Sequence, residues 1–325
     1  MGENNIFKLL DLDPFDDEGR EQVDSDAIIR EAQRNPCCTD VMNTFSSTGR
    51  RCLPLHQAIM LRAPISVIDA LCSPYALEAR YLNDKPVLNF AIEHGASTSL
   101  VSFLLEKQPN AVRQKTRNDY TPLHSACRYK SSLEVVALLF DKWPDASKEK
   151  SILGHTPLHI ACCYRASLEV VSMLLGGWSG APTEKARSGS TPLHLACCYG
   201  SSFEVILLLL DKWLNSTENR NSACIDYLKY SNASEDTKRL LSHVSVLFNS
   251  EIEHPSAKEI MSFFSSIKWW KGVVLVLERY PNITQTHDLQ TGVKADFLST
   301  VGRHCQLKTM WSIVSNEQDL LAGVL

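Results

Sequence analysis

Histidine and cysteine recur three residues apart in this 325-residue chain, at His124/Cys127, His159/Cys162 and His194/Cys197. Both side chains ligate zinc, and on a helix this spacing puts them on one face. A zinc site needs about four ligands converging on one point, whereas successive pairs here lie 35 residues apart. The pattern is that of a ladder, and no metal is expected. Cys163 and Cys198 follow two of these cysteines directly, and redox chemistry there would require a thiolate of depressed pKa. Asp11, Asp13, Asp16 and Asp17 invite a calcium-loop reading. It fails, because ligands do not fall at alternate positions and Pro14-Phe15 stands where the glycine turn should follow. The chain also lacks a phosphate loop, a kinase signature, a nucleophile elbow and a zinc-protease motif. No catalytic residue, cofactor-binding residue, cofactor or small-molecule substrate is expected.

The elements that carry these residues repeat. Thr121-Pro122-Leu123-His124 recurs as Thr156-Pro157-Leu158-His159 and as Thr191-Pro192-Leu193-His194. Behind each copy Ala126, Ala161 and Ala196 align, as do Leu133-Glu134-Val135-Val136, Leu168-Glu169-Val170-Val171 and Phe203-Glu204-Val205-Ile206. Trp143, Trp178 and Trp213 close the three units, a placement that points to packing between neighbours. Thr is a good N-cap and Pro fits the first helical position, where its missing N–H has no partner to lose. Leu, Ala and Cys then face neighbouring helices, and the run from Leu133 to Phe140 predicts a second, outer helix. One such helix pair cannot bury its own apolar face, so units must stack.

The tetrapeptide with its trailing alanine closely resembles the ankyrin repeat. That resemblance implies an all-α solenoid of helix-turn-helix units, in which the motif histidine bonds the threonine hydroxyl and the backbone of the turn. The units are 35 residues long against the family's usual 33, and both extra residues fall in connections. Flanking units are degenerate: Pro86-Val87-Leu88-Asn89 stands at the tetrapeptide position, and earlier Leu53-Pro54-Leu55-His56 is followed by Ala58 and Val67-Ile68. A weaker pair opens at Cys224-Ile225-Asp226 and ends near Leu241. The expected division is an acidic, disordered leader over 1–23, a capping helix and linker over 24–51, about five units over 52–242, and a helical region over 243–325. In that last region 258–265 with 270–281, and 297–303 with 307–314, space like further helix pairs; the alternative is a separate small helical cap.

Composition sets the broad class. Hydrophobic content of 44% and charged content of 22% are ordinary for a globular chain, and a net charge of −4 argues against nucleic acid as a partner. No apolar run is long enough to cross a bilayer, and no secretory or acylation signal stands at the start. An odd count of eleven cysteines, three times as adjacent pairs, reads as reduced thiols in a cytoplasmic or nuclear compartment. Residues 1–26 carry a net charge of −7.

In the ankyrin family the concave face is built from inner-helix ends and the fingers that link units. Carried over, the resemblance places His94, Arg128-Tyr129, Tyr164 and Tyr199 at inner-helix ends, and Lys115, Lys150 and Lys185 on successive fingers. Tyr and Arg are large amphipathic anchors enriched at binding hot spots. The expected function is a non-catalytic intracellular scaffold or adaptor that holds a partner protein with acidic residues, without nucleic acid or membrane. The alternative is a signalling or transcription-linked regulator whose groove is closed by its own acidic leader.

Overall fold

The computed structural model describes residues 5–81, 84–220, 225, 228, 233–249 and 254–280. The chain divides into two compact units, Met1–Leu195 and Ala196–Leu325. The first opens with helices α1 (Ile6–Leu10), α2 (Asp17–Glu21) and α3 (Ser25–Arg34) and an antiparallel hairpin, β1 (Asn43–Phe45) with β2 (Arg50–Cys52), in register Thr44↔Arg51. Helix pairs follow: α4 (Pro54–Met60) with α5 (Ile65–Leu71), then, after the short α6 (Pro74–Glu78) and a two-residue hairpin β3 (Arg80–Tyr81)/β4 (Lys85–Pro86), α7 (Val87–Glu93) with α8 (Thr98–Lys107). Next come α9 (Pro122–Arg128) with α10 (Leu133–Lys142), and α11 (Pro157–Cys163) with α12 (Leu168–Gly177). Helix α13 (Pro192–Tyr199) contains the division between the units.

The most regular pairs are written locally by their caps. Thr121 and Thr156 cap the inner helices α9 and α11, with proline at the first helical position. Ser97, Ser132 and Ser167, 35 residues apart, each accept a bond from a backbone N–H of the outer helix that follows. Between inner and outer helix the chain turns through a left-handed residue at Gly95, Lys130 and Arg165. The fingers turn the same way at Asp119, Gly154 and Gly189. Each finger closes on itself, with Thr116 N–H bonded to the Tyr120 carbonyl and Ser151 N–H to that of His155. One backbone bond then joins neighbouring fingers: Ile152 N–H to the Asn118 carbonyl at 3.2 Å, and Arg187 N–H to that of Leu153 at 3.0 Å.

The core is a stripe of Leu, Ala and Cys. Leu123, Ala126, Cys127, Leu158, Ala161 and Cys162 are buried where α9 packs on α11, and α4 and α7 extend that inner row. The outer row runs α8, α10, α12, through Val135, Val136, Leu139, Val170, Val171 and Leu174. Small residues on the inner helices let their backbones approach, which is what stacking requires.

Two expectations need correction in this unit. Residues 5–21 are not an unstructured leader: Ile6 and Leu10 are fully buried, and α1 packs on α3, α4 and β1. Gln57 Nε2 donates to the carbonyls of Leu10 and Leu12 at 3.1 and 3.0 Å, and Asp11 accepts from Ser47 N–H at 2.8 Å. The acid count of this segment conceals an apolar spacing of four residues that is enough for one helical turn. The stretch after α3 is likewise folded, with Phe45 of β1 completely buried. A helix, α3, stands where the capping helix is expected, with Asp24 as its N-cap.

In the second unit α14 (Phe203–Trp213) is followed by helices at Glu235–Phe248, His254–Ser266 and Trp270–Arg279. The expected boundary at 242/243 falls inside the first of these, because Leu240, Leu241, Val244 and Leu247 are all buried on one continuous helix. The last two helices pack as the expected pair, closely enough that a Cβ on Gly272 would meet the rings of Trp269 and Phe264. The pair expected at 297–303 and 307–314 lies outside the described residues.

Candidate partner-binding surface

The motif histidines hold the units together. Thr121 N–H donates to His124 Nδ1 at 3.3 Å, the Thr121 hydroxyl lies 2.8 Å from the same nitrogen, and His124 N–H donates back to the hydroxyl oxygen at 3.3 Å. On the other side of the ring Nε2 donates to the His155 carbonyl of the next finger at 3.0 Å. A carbonyl partner puts the proton on Nε2 and leaves Nδ1 as acceptor. His159 repeats the set, with Thr156 at 2.8 Å and the Ser190 carbonyl at 3.2 Å. Burial holds both imidazoles neutral, lowered to about 4. The ladder is thus spent on hydrogen bonds, and among the described residues no three His, Cys, Asp or Glu side chains gather as a metal site. Cys127 and Cys197 are buried thiols pushed up to about 12 by desolvation.

Part of the expected aromatic stripe converges on one cation. Tyr129 and Tyr164 are the C-cap residues of α9 and α11. The Arg128 guanidinium carbon lies 5.7 Å from the Tyr129 ring centre, 5.4 Å from that of Tyr164 and 5.7 Å from that of Tyr120. Tyr129 is 38% exposed, whereas Arg128, Tyr120 and Tyr164 are half-buried. No carboxylate lies within ion-pair distance of Arg128 among the described residues. Burial raises the Tyr120 and Tyr129 hydroxyls above their ordinary range, so both stay protonated donors. Beside the cluster is a cavity of 250 Å³ with Lys85, Asn89, Glu93, Arg117, Tyr120 and Arg128 among its lining residues.

The other expected residues fall differently. Lys115 pairs with Glu149 at 2.7 Å and Lys150 with Glu184 at 2.6 Å, each bridging one finger to the next. Two of the three finger lysines are therefore locally neutralised, while Lys185 is exposed. His94 is half-buried with its ring 4.4 Å from that of Phe90, and burial, with the Lys85 charge adding to it, keeps it neutral at about 4. Tyr199, 50% exposed, belongs to the second unit. The acidic leader, expected as a candidate to close this face, is held instead on the first helix pair and β1–β2 by the Gln57 and Asp11 bonds.

A family model described as ankyrin repeats in three copies matches residues 55–151 and 134–222, which together cover more than half of the chain. This protein belongs to the ankyrin-repeat family. No curated protein matches the chain. Ankyrin repeats mediate protein–protein interactions, and the match runs through Arg128, the tyrosines and the fingers.

Tyr120 was not among the residues read from the sequence. Its signal is positional, one residue before the Thr-Pro step, but the same place holds His155 and Ser190 in the next units. A search for repeated side chains passes over it.

Proposed function

We propose that this ankyrin-repeat protein is a non-catalytic binding module, a scaffold or adaptor, that seats a partner protein against the inner-helix ends around Arg128, Tyr129 and Tyr164. The observation that carries the reading is Arg128 itself, a half-buried cation over three tyrosine rings with no carboxylate bound to it among the described residues. Cation–aromatic contact holds the guanidinium in place before a partner arrives, so little side-chain entropy is lost on docking. A partner bearing acidic residues around an apolar anchor suits such a surface. An intracellular setting, cytoplasmic or nuclear, fits the nine cysteines that stand outside disulfides among the described residues.

The test is affinity purification with the wild-type chain beside the Tyr129→Ala/Tyr164→Ala/Tyr199→Ala variant, helicity being matched by circular dichroism. Hot-spot behaviour predicts that a partner retained by the wild type is reduced about tenfold or more by the variant. A partner retained equally by both would place binding on another surface.

A further inference from the structure

The cavity beside Arg128 has a charge arrangement more specific than that of a general docking face. Two cations and one anion face it from the repeat stack: Lys85 in β4, Glu93 at the end of α7, and Arg128 at the end of α9. Lys85 and Glu93 are ion-paired with each other and both are substantially buried. They cancel, which leaves the half-buried Arg128 as the inner charge without a counterion among the described residues. Arg117, which also lines the cavity, is exposed at the finger tip, where salt screens it.

Beside these charges the lining supplies hydroxyl-bearing side chains, while Asn89 spends its amide protons inside the wall and leaves Oδ1 buried without a partner among the described residues. Asn89 is 1% exposed, and its Nδ2 donates to Ser125 Oγ at 2.9 Å and to the Tyr120 carbonyl at 3.3 Å. The carbonyl fixes the amide's orientation, since a flipped amide would set oxygen against oxygen. Ser125, Thr116 and Tyr129, each with a hydroxyl, also line the space. One net positive charge, a forked donor and several hydroxyls suit a single carboxylate, which guanidinium binds in a bidentate manner. A monoanion matches that single net charge, whereas a dianion would keep one negative charge balanced only by the exposed, screened Arg117.

We infer that this cavity is a side-chain pocket for a glutamate or aspartate of the partner, its carboxylate seated on Arg128. This rests on the binding-module reading and adds to it which partner residue is read and where.

The probes are N-acetyl-glutamate N-methylamide, its glutamine counterpart, its phosphoserine counterpart and glutarate. Each is titrated into the full-length chain with the arginine side-chain N–H signals followed by NMR. The expected result is an Arg128 shift with the glutamate probe at an affinity about tenfold above the glutamine probe. Arg128→Gln should abolish that difference. Because Arg128 also packs three rings, Glu93→Gln gives a second reading of opposite sign: removing the cavity's own carboxylate should tighten the glutamate probe several-fold. Equal affinity of the glutamate and glutamine probes, or a Glu93→Gln variant that binds no better, overturns the proposal. So does tighter binding of the phosphoserine probe, or of glutarate, which would mark a phosphate or small-acid site. Partner capture that depends on the tyrosines would survive any of these failures, so the two readings fall separately.

Discussion

His56 and His124 stand at the same place in their units and meet opposite surroundings. His124 has Thr121 before it and a carbonyl behind it, so every polar ring atom is bonded. His56 follows Leu53, which cannot cap, and both its ring nitrogens are buried without a partner. Its ring is held by contact alone, 5.3 Å from Tyr81 and 5.0 Å from Phe90. Replacing a buried polar group that has lost its partners removes a desolvation cost, whereas breaking a satisfied network creates one. His56→Leu is therefore expected to leave stability unchanged or raise it by about 1 kcal/mol, and His124→Leu to lower it by about 2 kcal/mol, as read by urea unfolding. The histidines also set an acid limit. His56, His94, His124 and His159 are all lowered to about 4 from an ordinary 6.5. The unfolded chain takes up these protons first, so their neutral forms support folding fully above pH 6.5, and that support fades as pH falls from 6.5 toward 4. A melting temperature that drops through this window, less steeply in a His124→Gln/His159→Gln background than in the wild type, is the expected outcome.

At the scale of elements, the left-handed turns are the informative feature. Gly95, Lys130 and Arg165 occupy equivalent turns, and two of them carry a side chain where glycine is preferred. Lys130→Gly is expected to stabilise by roughly 0.5–1 kcal/mol, the relief of left-handed strain exceeding the added freedom of the unfolded chain. Gly154 is the opposite case. Its φ is +75°, and a Cβ there would lie 2.8 Å from the Arg187 backbone nitrogen, which bonds the Leu153 carbonyl. Gly154→Ala should cost about 1–3 kcal/mol and lower amide protection at Arg187, measured by hydrogen exchange. Helices of this kind were legible in the sequence because Thr-Pro and a 35-residue period repeat the same local chemistry. Helix α1 and the β1–β2 hairpin were not, because they occur once, are short, and hide Ile6, Leu10 and Phe45 among charged and polar neighbours. The site was legible in part. The inner-helix ends gave Arg128 and the tyrosines, but Lys115 and Lys150 were read as free charges because Glu149 and Glu184 lie a full unit away along the chain.

At the scale of the molecule, each helix pair of the first unit relies on its neighbours for burial. Leu158, 2% exposed, faces that shared core, and Leu158→Ala is expected to cost about 2–5 kcal/mol by urea unfolding. Deleting residues 1–23 should lower the stability of the first helix pair, since Gln57 loses two carbonyl acceptors and α3 and α4 lose the packing of α1, while leaving partner affinity at the Arg128 cluster unchanged. A large affinity gain on deletion would instead assign the segment an inhibitory contact. The adjacent cysteines have a consequence for observing such a molecule at work. In Cys162-Cys163 and Cys197-Cys198 the first thiol is enclosed and the second reaches the surface to differing degrees. An alkylating dye would label the outer sulfur of each couple at once and the inner one only after its own layer opens. The chain thereby carries a clock in each of two repeats, and the lag between the two labels would time how each one breathes.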